Sequence, residues 1–174
     1  MIKIGYMTIT PESSGSPIPG PSVYATAPDT IEVVDIEHSV RREYDEQHGT
    51  VAGDRKHEPL KIYKAVDVTT PQLYAMCCNA ELCTEVNIQY FVQTGSSPQP
   101  VEFFSWRLTN AYIVSVRQIP AREMGRVYEE QYDLLEEIAF SYQQIEWHHY
   151  SHRAPIGLKE LPEMIQMDAW SPVA

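Results

Sequence analysis

The sequence predicts an all-β fold: a β-barrel of two packed antiparallel sheets with one α-helix at the side. Three observations carry this. Large apolar side chains alternate with small or polar ones along several stretches, the period-2 pattern of half-buried strands. Only one segment, about 70–80, has helical spacing, with Leu73, Met76, Cys77 and Ala80 at i, i+3, i+4 and i+7. The third is the stretch 134–147, where Ile138, Phe140 and Tyr142 share even parity and Ile145 and Trp147 are odd. A strand changes parity in this way only if a residue is inserted or if its second face also becomes buried. The stretch therefore reads as one long strand with a bulge or a change of burial at Gln143-Gln144, serving more than one layer of a barrel or of two packed sheets.

In chain order, residues 2–9 alternate (Ile2, Ile4, Tyr6 against Lys3, Gly5) and form a first strand. Pro11, Pro17, Pro19, Pro21 and Pro28 forbid a central strand in the next segment, which reads as a surface loop. Residues 30–38 form a second strand, with Ile31/Val33 on one face and Val34/Ile36 on the other, so both faces are buried. Residues 39–57 carry mixed charge without sustained periodicity, an extended loop that reads either as a floppy hairpin tip or as an arm toward a neighbouring subunit. Pro59–Lys64 gives a further strand. In the helix, Thr70 suits the cap, Pro71 the first helical position, and Asn79 the stop. Val86, Ile88 and Tyr90 continue as a strand that ends at the turn cluster Thr94-Gly95-Ser96-Ser97-Pro98. Phe104, Trp106, Leu108, Tyr112, Val114 and Val116 share even parity, which favours one long strand across Thr109-Asn110 over a hairpin. Residues 117–133 read as a polar loop with a helical turn, and 148–174 as an extended C-terminal segment. The expected core is Ile138, Phe140, Tyr142 and Trp147 from the late strand and Leu73, Met76, Cys77 and Ala80 from the helix, within a single domain, 1–174.

Acidic residues number 24 against 13 basic ones, a net charge of −11, which argues against nucleic-acid or anionic-membrane partners. Three cysteines, two of them adjacent (Cys77-Cys78), make no paired framework and suit a reducing cytoplasm. The start of the chain lacks the apolar run of a signal peptide, so export is expected to use a route without a Sec-type signal.

Catalytic patterns are sparse. His148, His149 and His152 are the sharpest metal-like cluster, but consecutive strand residues face opposite ways and no carboxylate or cysteine at ligand spacing completes a site. Cys77 with His57 or His38 would make a thiol–imidazole pair, yet a core-stripe cysteine is usually inert. Glu136-Glu137 and Glu129-Glu130, if extended, each straddle two faces. The pattern favours a structural or binding role over an enzyme, and no cofactor is implied.

Several segments, in order, resemble the haemolysin-coregulated protein (Hcp) family of type VI secretion systems. They are Gly5-Tyr6-Met7-Thr8-Ile9-Thr10; Thr30-Ile31-Glu32-Val33-Val34 with His38 downstream; His57-Glu58-Pro59-Leu60 leading into Thr70-Pro71-Gln72-Leu73-Tyr74; Val101-Glu102-Phe103-Phe104 through Leu108-Thr109-Asn110-Ala111; residues 135–147; and Met164-Ile165-Gln166-Met167-Asp168-Ala169-Trp170. The resemblance implies a non-enzymatic, self-assembling tube subunit resembling a phage tail tube. Homo-hexameric rings would stack into a hollow tube inside a contractile sheath, with spike and baseplate proteins as partners. The tube would assemble in the cytoplasm and then be secreted with effectors, without membrane insertion. The resemblance also implies that the extended loop reaches an adjacent ring, and Arg41, Arg42, Tyr44, Asp45 and Glu46 are the residues expected to carry that ring-to-ring contact. Two departures from the family pattern stand out: Pro17, Pro19 and Pro21 fall where many members continue a β segment, and the stretch between Trp147 and Met164 is longer than usual. Two further readings compete with the tube: a metal-dependent hydrolase using His148, His149 and His152, and a chaperone-like effector-binding module.

Overall fold

A computed structural model describes residues 2–93 and 100–150 and the backbone of residues 164–169. Ten strands and three short helices follow in chain order: β1 (Ile2–Pro11), β2 (Ile31–Val33), β3 (Asp35–Glu37), β4 (Val40–Asp45), β5 (Thr50–His57), β6 (Leu60–Ala65), α1 (Thr70–Cys78), β7 (Leu82–Gln93), β8 (Val101–Pro120), α2 (Ala121–Met124), α3 (Arg126–Glu129), β9 (Leu134–His149) and β10 (Met164–Ala169). The main sheet runs β2-β1-β7-β8-β9-β6-β3, with β10 paired to β9. Its two end strands, β2 and β3, are consecutive in the chain, so the sheet curls into a nearly closed barrel.

That closure explains why the expected second strand has apolar residues on both faces. It is two short strands, β2 on β1 and β3 on β6, joined at Val34, whose N–H donates to the Tyr63 carbonyl at 2.7 Å. Ile31 and Val33 are buried in the barrel core. Val34 packs outside it, against a second cluster built on Ile119, Ala121 and Leu135 and covered from α2 and α3 by Met124 and Tyr128. The barrel core joins Met7, Ile9, Ile31, Leu60, Ile88, Leu108, Ile138 and Phe140 to Leu73 and Met76 of α1.

β8 is the single long strand expected, 20 residues, but its buried face does not keep even parity. Leu108 is buried, then Ala111 and Ile113, while Tyr112 and Val114 are exposed. The switch falls at Asn110, whose φ of 51° is left-handed. β9 switches opposite it, from buried Tyr142 to buried Ile145, and the Asn110 amide donates to the Gln143 side-chain oxygen at 2.9 Å. Register is kept across this point, with Thr109 opposite Gln144 and Ala111 opposite Tyr142. The parity change in β9 is therefore a change of burial shared by two paired strands. The ladder's only β8–β9 shift lies elsewhere, between Ile113 and Ser115.

In the helix, Leu73 and Met76 are buried and Cys77 is half-buried. Ala80 is a correction: it is exposed and lies beyond the helix. Asn79 ends α1, and Ala80 takes a φ of 49°, while the N–H groups of Ala80 and Glu81 return to the Cys77 and Met76 carbonyls. This left-handed stop turns Ala80 off the apolar stripe. The cap also shifts by one residue, to Thr69, which makes no side-chain cap bond. The Thr70 hydroxyl instead accepts from the Asp67 N–H at 3.0 Å and donates to Glu136 at 2.9 Å. Glu129-Glu130 lie at the end of α3 and not on an extended segment.

The proline-rich segment is pinned more firmly than a surface loop. Ile18 is buried in the barrel core, and its N–H donates to the Ile9 carbonyl at 2.8 Å. Gly20 lies so close to the neighbouring chain that a Cβ there would stand 2.1 Å from the Thr30 carbonyl oxygen. Backbone must move to admit it. Gly20→Ala is therefore expected to cost about 2–3 kcal/mol, read as a fall in Tm of roughly 5–10 °C in a thermal melt.

Candidate functional site: the hairpin arm and its root

Residues 39–57, expected as an extended loop, contain a regular antiparallel hairpin, β4 with β5, that forms a sheet of its own. Its ladder runs from Val40 opposite His57 to Asp45 opposite Thr50, with a register shift after Arg42 beside Gly53, whose φ is 74°. The tip is closed by Asp45. Its carboxylate accepts from the Gln47 N–H at 2.8 Å and pairs with His48 at 2.8 Å, and Gly49 returns its N–H to the Asp45 carbonyl. The His48 hydrogen bond, then that from Gln47, holds the Asp45 carboxyl below its usual value. Nearly all of the hairpin is exposed, which is why its strands carry no apolar alternation. Tyr44 and Val51 sit directly opposite each other, 64% and 67% exposed, an apolar pair turned to solvent.

The five residues assigned to ring contact thus have distinct surroundings. Arg41 pairs with Glu58 at 2.7 Å across the root. Arg42 reaches the Gly53 carbonyl at 3.4 Å. Tyr44 stands on the open face, and Asp45 and Glu46 form the tip. Val51 was not legible from sequence, because only the register brings it to Tyr44.

Where the hairpin leaves the barrel, the residues that frame it converge. His38 precedes β4 and His57 ends β5. The Tyr142 hydroxyl lies 2.6 Å from His38 Nε2 and 3.0 Å from His57 Nδ1. A hydroxyl has one proton to give, so one imidazole accepts it and the other donates its own N–H to the oxygen. Trp147 stacks on His57 at 6.4 Å between ring centres and lies 6.0 Å from His38. The two imidazoles, 6.1 Å apart, thereby tie the hairpin root to β9. A cleft of about 420 Å³ opens beside the root, lined by Glu37, His38, Arg41, Glu58 and Lys61.

Cys77 faces the barrel core from α1, while His38 and His57 turn to Tyr142. Glu136 and Glu137 point to opposite faces of β9: Glu136 to Lys64 at 2.7 Å, Glu137 to Tyr63 and Arg117 at 3.1 Å each. His148 stacks on Tyr150 and His149 meets Phe104, so the two diverge, and His152 lies outside the described residues. Among the described residues no group of three or more His, Cys, Asp or Glu is placed to hold a metal ion. Nor is any helix there long and apolar enough to cross a membrane.

The fold these elements define, a nearly closed barrel with the nine-residue α1 packed at its side, also occurs among solved structures. A mutant of the Hcp1 protein from E. coli EAEC 042 superposes with a TM-score of 0.76 at 23% identity, over 97% of this chain and 99% of that one. Secreted protein Hcp3 from Pseudomonas aeruginosa gives 0.69 at 23% identity, over 98% and 100%. In sequence, the "Major exported protein" of Pseudomonas aeruginosa is 28% identical over 123 residues, 70% of this chain and 69% of that protein. The family described as "Type VI secretion system effector, Hcp" matches residues 6–149. The chain belongs to the Hcp family of type VI secretion proteins, a structural family and not an enzymatic one.

Proposed function

We propose that this chain is the subunit of a type VI secretion tube. Six copies close into a ring, rings stack head to tail, and the hollow tube is assembled in the cytoplasm and expelled with effectors in its lumen. A contractile sheath, spike and baseplate are its partners in that process. The observation that carries the reading is the hairpin: a six-residue and an eight-residue strand paired in a sheet of their own, displaying Tyr44 and Val51 to solvent. Exposed unpaired edges and an apolar pair are costly in an isolated molecule and are covered when copies assemble by a repeated contact. In this arrangement Arg41, Arg42, Tyr44, Asp45 and Glu46 carry the ring-to-ring contact, joined by Val51.

Multi-angle light scattering on the purified chain tests the ring. The expected mass is about 120 kDa, six times the 19.9 kDa monomer. A monodisperse 19.9 kDa species at high concentration would overturn the reading.

A further inference from the structure

An aromatic pocket opens at the barrel wall, distant in role from the hairpin. It has a volume of about 340 Å³ and is lined by Asp35, Ile36, Tyr90, Phe103, Phe104 and Trp106. The strands explain the grouping. Tyr90 of β7 lies opposite Phe104 of β8, Trp106 is two residues on along the same face, and β3 brings Asp35 to the seam where the barrel closes. Tyr90 stands edge-on to Trp106 at 5.6 Å and to Phe103 at 6.3 Å, and Phe104 lies 4.5 Å from Trp106. The rings therefore present faces and edges at steep angles around one space, all of them only half-buried.

Asp35 gives the pocket its sign. Its carboxylate accepts from the Ile36 N–H at 2.8 Å and from the Tyr128 hydroxyl at 2.9 Å. Both bonds fix its position, and neither neutralises it. Among the described residues it makes no ion pair, whereas Glu37, two residues away, approaches Lys61. A fixed, half-buried anion beside aromatic faces attracts a cation twice over, through its own charge and through the ring quadrupoles. The volume suits one small ligand or one long side chain. Burial, followed by the negative charge of Asp35, raises the Tyr90 pKa, consistent with an electronegative cavity.

We propose that this pocket binds an organic cation of alkylammonium or guanidinium type, its charged head held between Asp35 and the rings of Tyr90, Phe104 and Trp106. The proposal is independent of ring stacking, because the hairpin contributes nothing to the pocket.

Calorimetric titration of the full chain tests it with three probes: choline, its uncharged isostere 3,3-dimethylbutan-1-ol, and Nα-acetylarginine amide. Saturable binding of a cation is expected, at least about tenfold tighter than the uncharged isostere. Asp35→Asn keeps an acceptor for Tyr128 and should weaken cation binding about tenfold. Phe104→Leu, at a position outside the buried core, should weaken it about fivefold. Both variants are compared with the parent only if their melting transitions match it; if one does not fold, the other carries the test. A preference for choline assigns the pocket to a free quaternary ammonium ligand, and a preference for the arginine amide assigns it to a side chain of a partner protein. Absence of saturation by either cation, equal binding of the uncharged isostere, or unchanged binding in a folded variant overturns the proposal.

Discussion

Glu136→Ala is expected to lower stability by about 3–5 kcal/mol, the cost of stranding one member of a buried ion pair, and to drop Tm by about 10 °C or more. Lys64 and Glu136 are both fully buried. Lys64 Nζ sits 2.7 Å from Glu136 Oε1, 2.7 Å from the Ala65 carbonyl oxygen and 3.1 Å from Asp67 Oδ1, so all three of its donors are used. Glu136 Oε1 also accepts from Thr70, and Asp67 accepts from the backbone and hydroxyl of Thr69. One network thus joins β6, β9 and the first turn of α1. Removing the carboxylate leaves an ammonium in the interior with half its counter-charge. Replacing both ends with apolar residues, as in Lys64→Met with Glu136→Leu, should recover most of the loss, since two desolvated charges return about what they cost. A double variant as unstable as Glu136→Ala would show that the network is needed for more than its own neutrality.

Acid should loosen the hairpin root before it unfolds the barrel. Burial, and next the nearby charge of His57, lowers the His38 pKa below the usual 6.5. The unfolded chain then takes up a proton at this site as pH falls through 6.5 while the native protein resists it. Stability is full above that pH and declines below it, toward the depressed native value. Glu37, Glu58, Arg41 and Lys61 line the cleft beside His38, with Arg41 and Glu58 paired to each other. His38→Gln is expected to flatten the dependence of Tm on pH below 6.5. Tyr142→Phe, which strips His38 of its partner and takes one from His57, should cost about 1–3 kcal/mol at pH 7.5. An equal pH slope in parent and His38→Gln would remove His38 from the account.

How much could be read in advance follows from what each side chain packs against. Elements with one buried face were legible, because burial writes its period into the residues: β1, β6, β7, β9 and the Leu73–Met76 face of α1. The hairpin was not legible as strands, since Arg41, Glu43 and Lys56 face water on a ladder that has no inside. The splitting of 30–38 was hidden for the opposite reason, because Ile31 and Val34 are covered on different sides by different neighbours. Asn110 misled the reading of β8: its left-handed φ reverses the faces without changing the register, and the exposed Tyr112 and Val114 hid in β8 a switch that the parity change of β9 records. The His38–His57–Tyr142 cluster could be found only from pairing, for its members are 85 to 104 residues from Tyr142 along the chain. Lys64 is the same case in charge: a lysine between Tyr63 and Ala65 reads as solvent-facing until Glu136 is placed opposite it.

The central claim is that the hairpin connects rings while the barrel builds them. Negative-stain microscopy of the parent beside a variant in which residues 41–56 are replaced by an Asn-Gly turn tests it most directly. Val40 and His57 are already paired, so a two-residue turn keeps that pair and the His38–His57–Tyr142 cluster while removing the Arg41–Glu58 ion pair. The expected result is tubes for the parent and isolated rings of unchanged diameter for the variant. Tubes of equal length from both would contradict it.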